Sequence, residues 1–414
     1  MNSWICCQIG AREHYAIARS LHQANQLTTL ITDAWIPPRS LFNALPGATF
    51  RSLRDRFHSD LETASVQAFT SSLLQFELSQ KIQKASEWER MIARNRWFQN
   101  RAIQQLEAIA TKLSHTNTQP VLFTYSYAAL EILKYAKSQG WSTVLGQIDP
   151  GLVEEEIVIR EQQKHPDLAP GWQPVPPSYW ENWKAECEVV DRIIVNSNWS
   201  RQALQQAGIA AEKIEVIPLV YSPPEAARSF QRTYPEKFSN ERPLRLLFLG
   251  QIILRKGIAA LLEAAEKLKD QPIEFWLVGR SEITPSATIS NNIRWIGSVP
   301  RSTTAQYYQQ ADVFLFPTLS DGFGLTQLEA QAWKLPLVAS KFCGEVVADG
   351  VNGKVLPEVT GEAIATVLQT FLEQPQQLAA FSEAIASRSN WQLSQLSSQL
   401  QILAQSTQAL SGTH

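Results

Sequence analysis

Cysteine is scarce in this sequence: Cys6, Cys7, Cys187 and Cys343 are the four present. They are scattered, without the paired spacing of metal ligands, which argues against a structural zinc and fits buried thiols in a reducing compartment. An excess of charge of one sign is missing as well. Lys and Arg number 37 against 39 Asp and Glu, a formal net charge of −2, so no bulk-charge argument supports a nucleic-acid partner. No apolar run is long enough to cross a bilayer. The first charged residue is Arg12, so no basic region precedes Trp4-Ile5-Cys6-Cys7, and that run is short enough to be a strand. A cytoplasmic protein is expected, free or at the inner membrane face. Gly-x-Gly-x-x-Gly is also lacking. Gly10 stands alone, and Gly250 and Gly257 have the wrong spacing, which speaks against a dinucleotide-dependent oxidoreductase.

What is present points to packed domains. At 414 residues with 44% hydrophobic content, the chain is too long for one ordinary core, and two domains are expected. Trp4 to Ile9, Leu27 to Thr32, Val121 to Phe123, Thr143 to Leu145 and Arg192 to Val195 read as buried strands. Helices such as Ala11 to Ala24 and Ala128 to Gln139 lie between them. Short apolar strands alternating with helices predict a parallel sheet covered on both faces. Pro218, Pro223, Pro224 and Pro235 interrupt the pattern, and residues 223–242 read as an interdomain linker. It restarts with strands at Leu244 to Leu249, Ile273 to Val278, Ile293 to Ile296, Val313 to Phe316 and Leu337 to Ala339. The stretch Ile258 to Lys269 places Ile258, Leu261, Leu262, Ala265 and Leu268 on one helical face. An α/β class with domains at 1–222 and 243–391 follows. Residues 392–414 read as a final Gln/Ser/Leu helix.

Residues 81–112 carry Lys81, Lys84, Arg90, Arg94, Arg96, Arg101 and Lys112, interleaved with Trp88, Met91, Trp97 and Phe98. Two readings stay open: a basic amphipathic face for peripheral contact with anionic lipid, and a domain helix with a solvated basic side.

The most informative stretch is Phe316 to Trp333, FPTLSDGFGLTQLEAQAW. A strand ends at Phe316, a loop holds Asp321-Gly322-Phe323-Gly324, and a helix begins at Leu325. Ligands of open α/β sheets bind where strand carboxyl ends meet helix amino ends. Backbone N–H groups there, aided by the helix dipole, suit a diphosphate, and the glycines let it approach closely. Asp321 and Glu329 are eight positions apart. At a rise of roughly 1.5 Å per residue they are about 12 Å apart, the reach from a sugar to a ribose in a sugar nucleotide.

This stretch resembles the acidic-x7-Glu motif of the retaining GT-B glycosyltransferases, specifically family 4. The resemblance implies two facing Rossmann-like domains with a deep cleft. It implies transfer from a nucleoside-diphosphate sugar to a sugar or lipid-linked acceptor, with no cofactor and no metal. Asp-x-Asp, by which other glycosyltransferases hold a divalent ion on the diphosphate, occurs nowhere in the chain. Carried over, Asp321 contacts the transferred sugar, Glu329 binds the ribose, and the amides around Phe323, Gly324, Leu325 and Thr326 hold the phosphates and sugar. The family more often has Glu where this chain has Asp321.

The loop Leu249 to Gly257 is the second anchor. Lys256, just before a helix, suits neutralisation of a leaving diphosphate. The family pairs it with an Arg after the first Gly; here Gly250 is followed by Gln251, and Arg255 is the nearby substitute. Ser298 and Val299, after Gly297, resemble the turn that meets the nucleobase. Cys343-Gly344-Glu345 and Val346 to Gly353 parallel the family's later donor-side turns.

In the first half, Gly10, Arg12 and His14 lie at a strand–helix turn facing the expected cleft. Asp149, at a strand end, is the candidate acceptor-side contact, where related enzymes place a His or Asp beside the anomeric carbon; capping of the turn at Pro150 is the equal alternative. Glu154, Glu155, Glu156 and Glu161 read as a solvated helix face. Trp172, Trp180 and Trp183 read as loop packing or as stacking platforms for sugar rings. A weakened sugar-nucleotide-binding subunit is the rival to an enzyme.

Overall fold

Every residue of Trp4–Gln8 (β1) is buried, and the same holds for Val121–Tyr125 (β4) and Ser142–Gly146 (β5). Strands apolar on both faces need cover on both faces. The computed structural model, which describes residues 3–40, 53, 56–114, 120–284, 290–386 and 392–411, supplies it with helices. Leu27–Thr32 (β2), Val66–Ala68 (β3), Arg192–Val195 (β6) and Ile214–Val216 (β7) complete the first sheet. Its order is β3-β2-β1-β4-β5-β6-β7, parallel throughout.

The second sheet contains Leu244–Leu249 (β8), Ile273–Val278 (β9), Ile293–Gly297 (β10), Val313–Phe316 (β11), Leu337–Ser340 (β12) and Gly353–Leu356 (β13). Its order is β10-β9-β8-β11-β12-β13, again parallel. These are two Rossmann-like α/β domains facing one another. In both sheets the strand order reverses beside the first strand, the switch point where such sheets open a crevice.

Three strands lie outside the expected set: β3, β7 and β13. Each is a short edge strand only partly buried, so no apolar run announces it. The helix expected from Ala11 starts only at Ala16 and runs to Gln23. Before it, Glu13, His14 and Tyr15 take left-handed φ values of 50°, 54° and 58°. Such a turn costs about 1–2 kcal/mol per residue. Tyr15 is buried and donates its hydroxyl to the Arg56 carbonyl at 2.9 Å, which fixes the end of the turn.

Much of the expected linker is fastened to the second domain. Arg232 donates to the carbonyls of Tyr308 at 2.6 Å and Trp333 at 3.0 Å, and Arg242 pairs with Asp312 at 2.6 Å. The helix Leu393–Ser411 lays Leu396, Leu400, Leu403 and Ala404 into one cluster with Trp4, Ile17 and Leu21, on the first domain's core.

The helices Thr70–Gln83 and Glu87–Leu113 meet at a capping box, Ser86 with Glu89. Phe98, Ala102 and Leu106 are fully buried, and Trp97 stacks on Phe76 at 5.5 Å. Trp97 and Phe98 are therefore committed to the core, which corrects the lipid-facing reading of those two, while Met91 in the same span stays exposed. Leu78 and Ile82, on the preceding helix, are 61% and 73% exposed. Among the described residues, no helix is long and apolar enough to cross a membrane. All four cysteines are buried and free.

Candidate functional site

The carboxyl ends of β8 and β11 carry one wall of a cavity of about 340 Å³. The loop after β8 returns to its helix through Gly257, whose φ is 73°; a Cβ there would sit 1.9 Å from the Pro317 carbonyl oxygen. That close approach brings Arg255 and Lys256 against the loop after β11. Lys256 donates to Asp321 Oδ2, and its ammonium lies 5.1 Å from the Phe316 ring centroid. Arg255 Nη1 lies 3.7 Å from the same carboxylate oxygen and donates to the Ser320 carbonyl at 3.0 Å.

Burial sets the electrostatics. It lowers the Lys256 ammonium, as does the neighbouring Arg255. Burial alone would raise the Asp321 carboxyl, but Lys256 and Arg255 together hold it below the ordinary carboxylate range. Asp321 Oδ1 accepts the Phe323 N–H at 3.2 Å, and Gly324, with φ 85°, starts the helix Leu325–Ala332. Gly250, Gln251, Phe323, Gly324, Leu325 and Thr326 line the cavity with this pair. A helix amino end beside two cations suits an anion.

The first domain supplies the opposite wall. Arg12, Glu13, Ile148 and Asn196 line it. The seam is tight: a Cβ on Gly322 would lie 2.2 Å from the Ile148 carbonyl oxygen. Trp199 Nε1 donates to Ser320 Oγ at 3.0 Å, and the Asn198 N–H donates to Glu345 Oε1 at 3.0 Å. Leu168, Ala169 and Trp172 pack into the second domain's core cluster, while Trp183 is fully buried in the first. Trp180, partly buried, sits edge-on to Trp183 at 5.8 Å, so packing contacts engage all three tryptophans.

Glu154 is the main residue that sequence reasoning placed wrongly. It is not on a solvated face; its Oε2 lies 3.3 Å from Arg255 Nη1 across the seam, and burial pushes its carboxyl up to about 7. Glu161 is buried too. The signal was hidden because its partner lies in the other domain. Glu13 was also missed. It lines the cavity, accepts the Tyr125 hydroxyl at 3.0 Å, and burial raises its carboxyl.

The first-domain candidates divide. Arg12 lines the cavity. The Gly10 N–H donates to buried Asp33 at 2.9 Å, so that amide is already used. His14 faces the guanidinium of Arg301 from the second domain, and burial, then Arg301, lowers it to about 4. Asp149 Oδ1 accepts from Tyr127, from Gln147 at 3.0 Å and from the Gly151 N–H at 3.0 Å. These bonds favour its turn-capping alternative. Ser298, Val299 and Glu329 lie beyond the lining of this cavity. Ser298 is exposed and Val299 packs on the second domain's core. Glu329 accepts the Tyr308 hydroxyl at 2.8 Å, and burial raises its carboxyl.

Residues 230–388 match the family model described as Glycosyl transferases group 1. A D-inositol 3-phosphate glycosyltransferase of Thermobifida fusca is 28% identical over 51% of this chain and 54% of its own length. The amylovoran biosynthesis glycosyltransferase AmsK of Erwinia amylovora is 27% identical over 32% of this chain and 39% of its own length. The chain thus spans about half or less of these relatives. In fold, the chain is similar to Anabaena HepE in complex with UDP, with a TM-score of 0.59, 15% identity and coverage of 98% and 100%. It is also similar to sucrose-phosphate synthase from Thermosynechococcus elongatus, at 0.62, 17% identity and coverage of 99% and 100%. The two facing domains are the GT-B fold.

Proposed function

We propose that the chain is a retaining, metal-independent glycosyltransferase of the family 4 type. It moves a sugar from a nucleoside-diphosphate sugar to a lipid-linked, glycan or small-molecule acceptor. The observation that carries this is the meeting of Arg255, Lys256, Asp321 and the start of the helix Leu325–Ala332 on one cavity wall. A diphosphate must leave as an anion, and preorganised positive charge in a water-poor site lowers that barrier most. Lys256 and Arg255 are that charge, in the place a divalent ion takes elsewhere. Asp321, held ionised beside them, accepts hydrogen bonds from hydroxyls of the transferred sugar. Glu329, eight residues on, takes the ribose.

In the reaction, the bond from the anomeric carbon to the diphosphate oxygen breaks, with its electron pair going to the diphosphate. The acceptor hydroxyl attacks the same face and gives its proton to the departing phosphate oxygen, so configuration is kept. No covalent nucleophile is required. The names of the sequence relatives, and the UDP bound in the HepE structure, support the class of donor. A binding-only subunit is the rival, favoured by Gln251 in place of the usual Arg. Thermal shift with UDP, GDP and ADP sugars, followed by assay of donor hydrolysis, separates them. Nucleotide binding without transfer or hydrolysis would favour the subunit.

For location, the same proposal places the enzyme in the cytoplasm, in peripheral contact with anionic membrane. Exposed Leu78 and Ile82, next to exposed Lys81, Lys84 and Arg90, supply the contact.

A further inference from the structure

We infer that Glu154 is a positioning residue for the donor site: it reaches from the first domain to hold the Arg255 guanidinium in line beside Lys256 and Asp321. This rests on the transferase reading above and names how that site is assembled. Arg255 stands in the tight turn Leu254–Lys256, four positions beyond Gln251. An arginine so placed must be aimed from elsewhere. Two of its attachments, the Ser320 carbonyl at 3.0 Å and Asp321 Oδ2 at 3.7 Å, come from its own domain. The third, Glu154 Oε2 at 3.3 Å, crosses the seam.

Glu154 is held firmly enough to aim another side chain. Its helix, Leu152–Lys164, starts at Gly151, where φ is 64° and a Cβ would lie 3.0 Å from the Trp183 ring. Trp183 is fully buried and donates to Gln147 at 2.9 Å. Among the described residues, Arg255 is the hydrogen-bond partner of the Glu154 carboxylate. Burying a carboxylate is costly without such a partner. In a region shielded from water, the pair is felt more strongly than on the surface. The consequence is that the second domain's two cations are aligned only when the first domain is seated against them. Donor charge stabilisation and domain closure become one event.

The experiment compares wild type with Glu154→Gln, Arg255→Lys and the double variant, and uses Glu156→Gln, exposed on the same helix, as control. Calorimetry with UDP and hydrolysis of UDP-glucose are the two readouts. Glu154→Gln should lower kcat about tenfold, as a small misplacement of a charge contact does, with no loss of UDP affinity. Arg255→Lys should do the same, and the double variant should add little to either, because the two act as one unit. Wild-type kcat should fall below about pH 7, where Glu154 takes up a proton, and that fall should be absent in Glu154→Gln. Unchanged kcat in Glu154→Gln, or losses that add fully in the double variant, would overturn the assignment. Loss of UDP affinity and kcat together, with a lowered melting temperature, would make Glu154 merely structural. A wild-type protein that neither binds UDP nor hydrolyses UDP-glucose would count first against the transferase reading, and this inference would fall with it.

Discussion

Lys256 and Asp321 are bonded to each other on the cavity wall, so neither can be changed without leaving a buried charge on the other. Truncating one partner of a buried pair costs more than the pair itself contributes. Lys256→Ala should therefore reduce turnover by about 10²-fold or more. In combination with Asp321→Asn, the loss should fall well short of the product of the single losses. Normal turnover in Lys256→Ala would mean that the diphosphate lies elsewhere.

Asp321 and Glu329 should fail in different ways. On the proposed roles, Asp321→Asn removes a contact to a group that moves toward the transition state, so kcat should fall more than nucleotide affinity. Glu329→Gln, which keeps a partner for the Tyr308 hydroxyl, should mainly weaken binding of free UDP. Calorimetry with UDP on both variants decides. Equal losses of UDP affinity would reverse or erase the direction assigned to the donor.

Gly322 is a test of the seam. Any Cβ there meets the Ile148 carbonyl oxygen, a backbone atom that cannot swing aside. Gly322→Ala should separate the facing loops, lower kcat and spare most of the UDP affinity, since the proposed nucleotide contacts lie within the second domain. Wild-type kcat in this variant would show that the seam has slack.

His14 gives a pH signature. Its imidazole is lowered from about 6.5 to about 4 by burial and by Arg301, Arg19 and His58. The unfolded chain then binds the extra proton first. Stability present above about pH 6.5 is lost as the pH falls through about 4. Titration by NMR should find His14 neutral at pH 6, and Arg301→Ala should move its value upward. A wild-type value near 6.5 would remove the interdomain contact from the account.

Vesicle flotation tests the membrane contact. Binding should rise with anionic lipid, weaken with salt, and be lost in Leu78→Ser with Ile82→Ser. Equal binding to neutral vesicles, or none, would remove it.

The candidate site of the second domain was legible as a place because strand, loop, carboxylate and helix follow one another there within a few residues. The stretch from Phe316 to Thr326 is one supersecondary unit, and the structure brings it to Lys256 as a unit. The first domain was less legible for a physical reason. Glu154 and Glu13 acquire their roles from partners more than a hundred residues away, and spacing along one helix says nothing about those. Asp149 shows the same limit from the other side. Its position at a strand end suggested a ligand contact, but Tyr127, Gln147 and Gly151 had the shorter path to it. The left-handed turn at Glu13 to Tyr15 was also invisible, since local preference favours a right-handed start there.

The last helix, seated on the core where the chain begins, means that the polypeptide passes between the domains twice, once after β7 and again before Leu393. A single tether would let one domain twist freely about it. A second crossing of the backbone restricts that twist. The seam contacts made by Glu154, His14 and Trp199 are thus held between two crossings of the chain, so the register between the walls is supported by the path of the backbone.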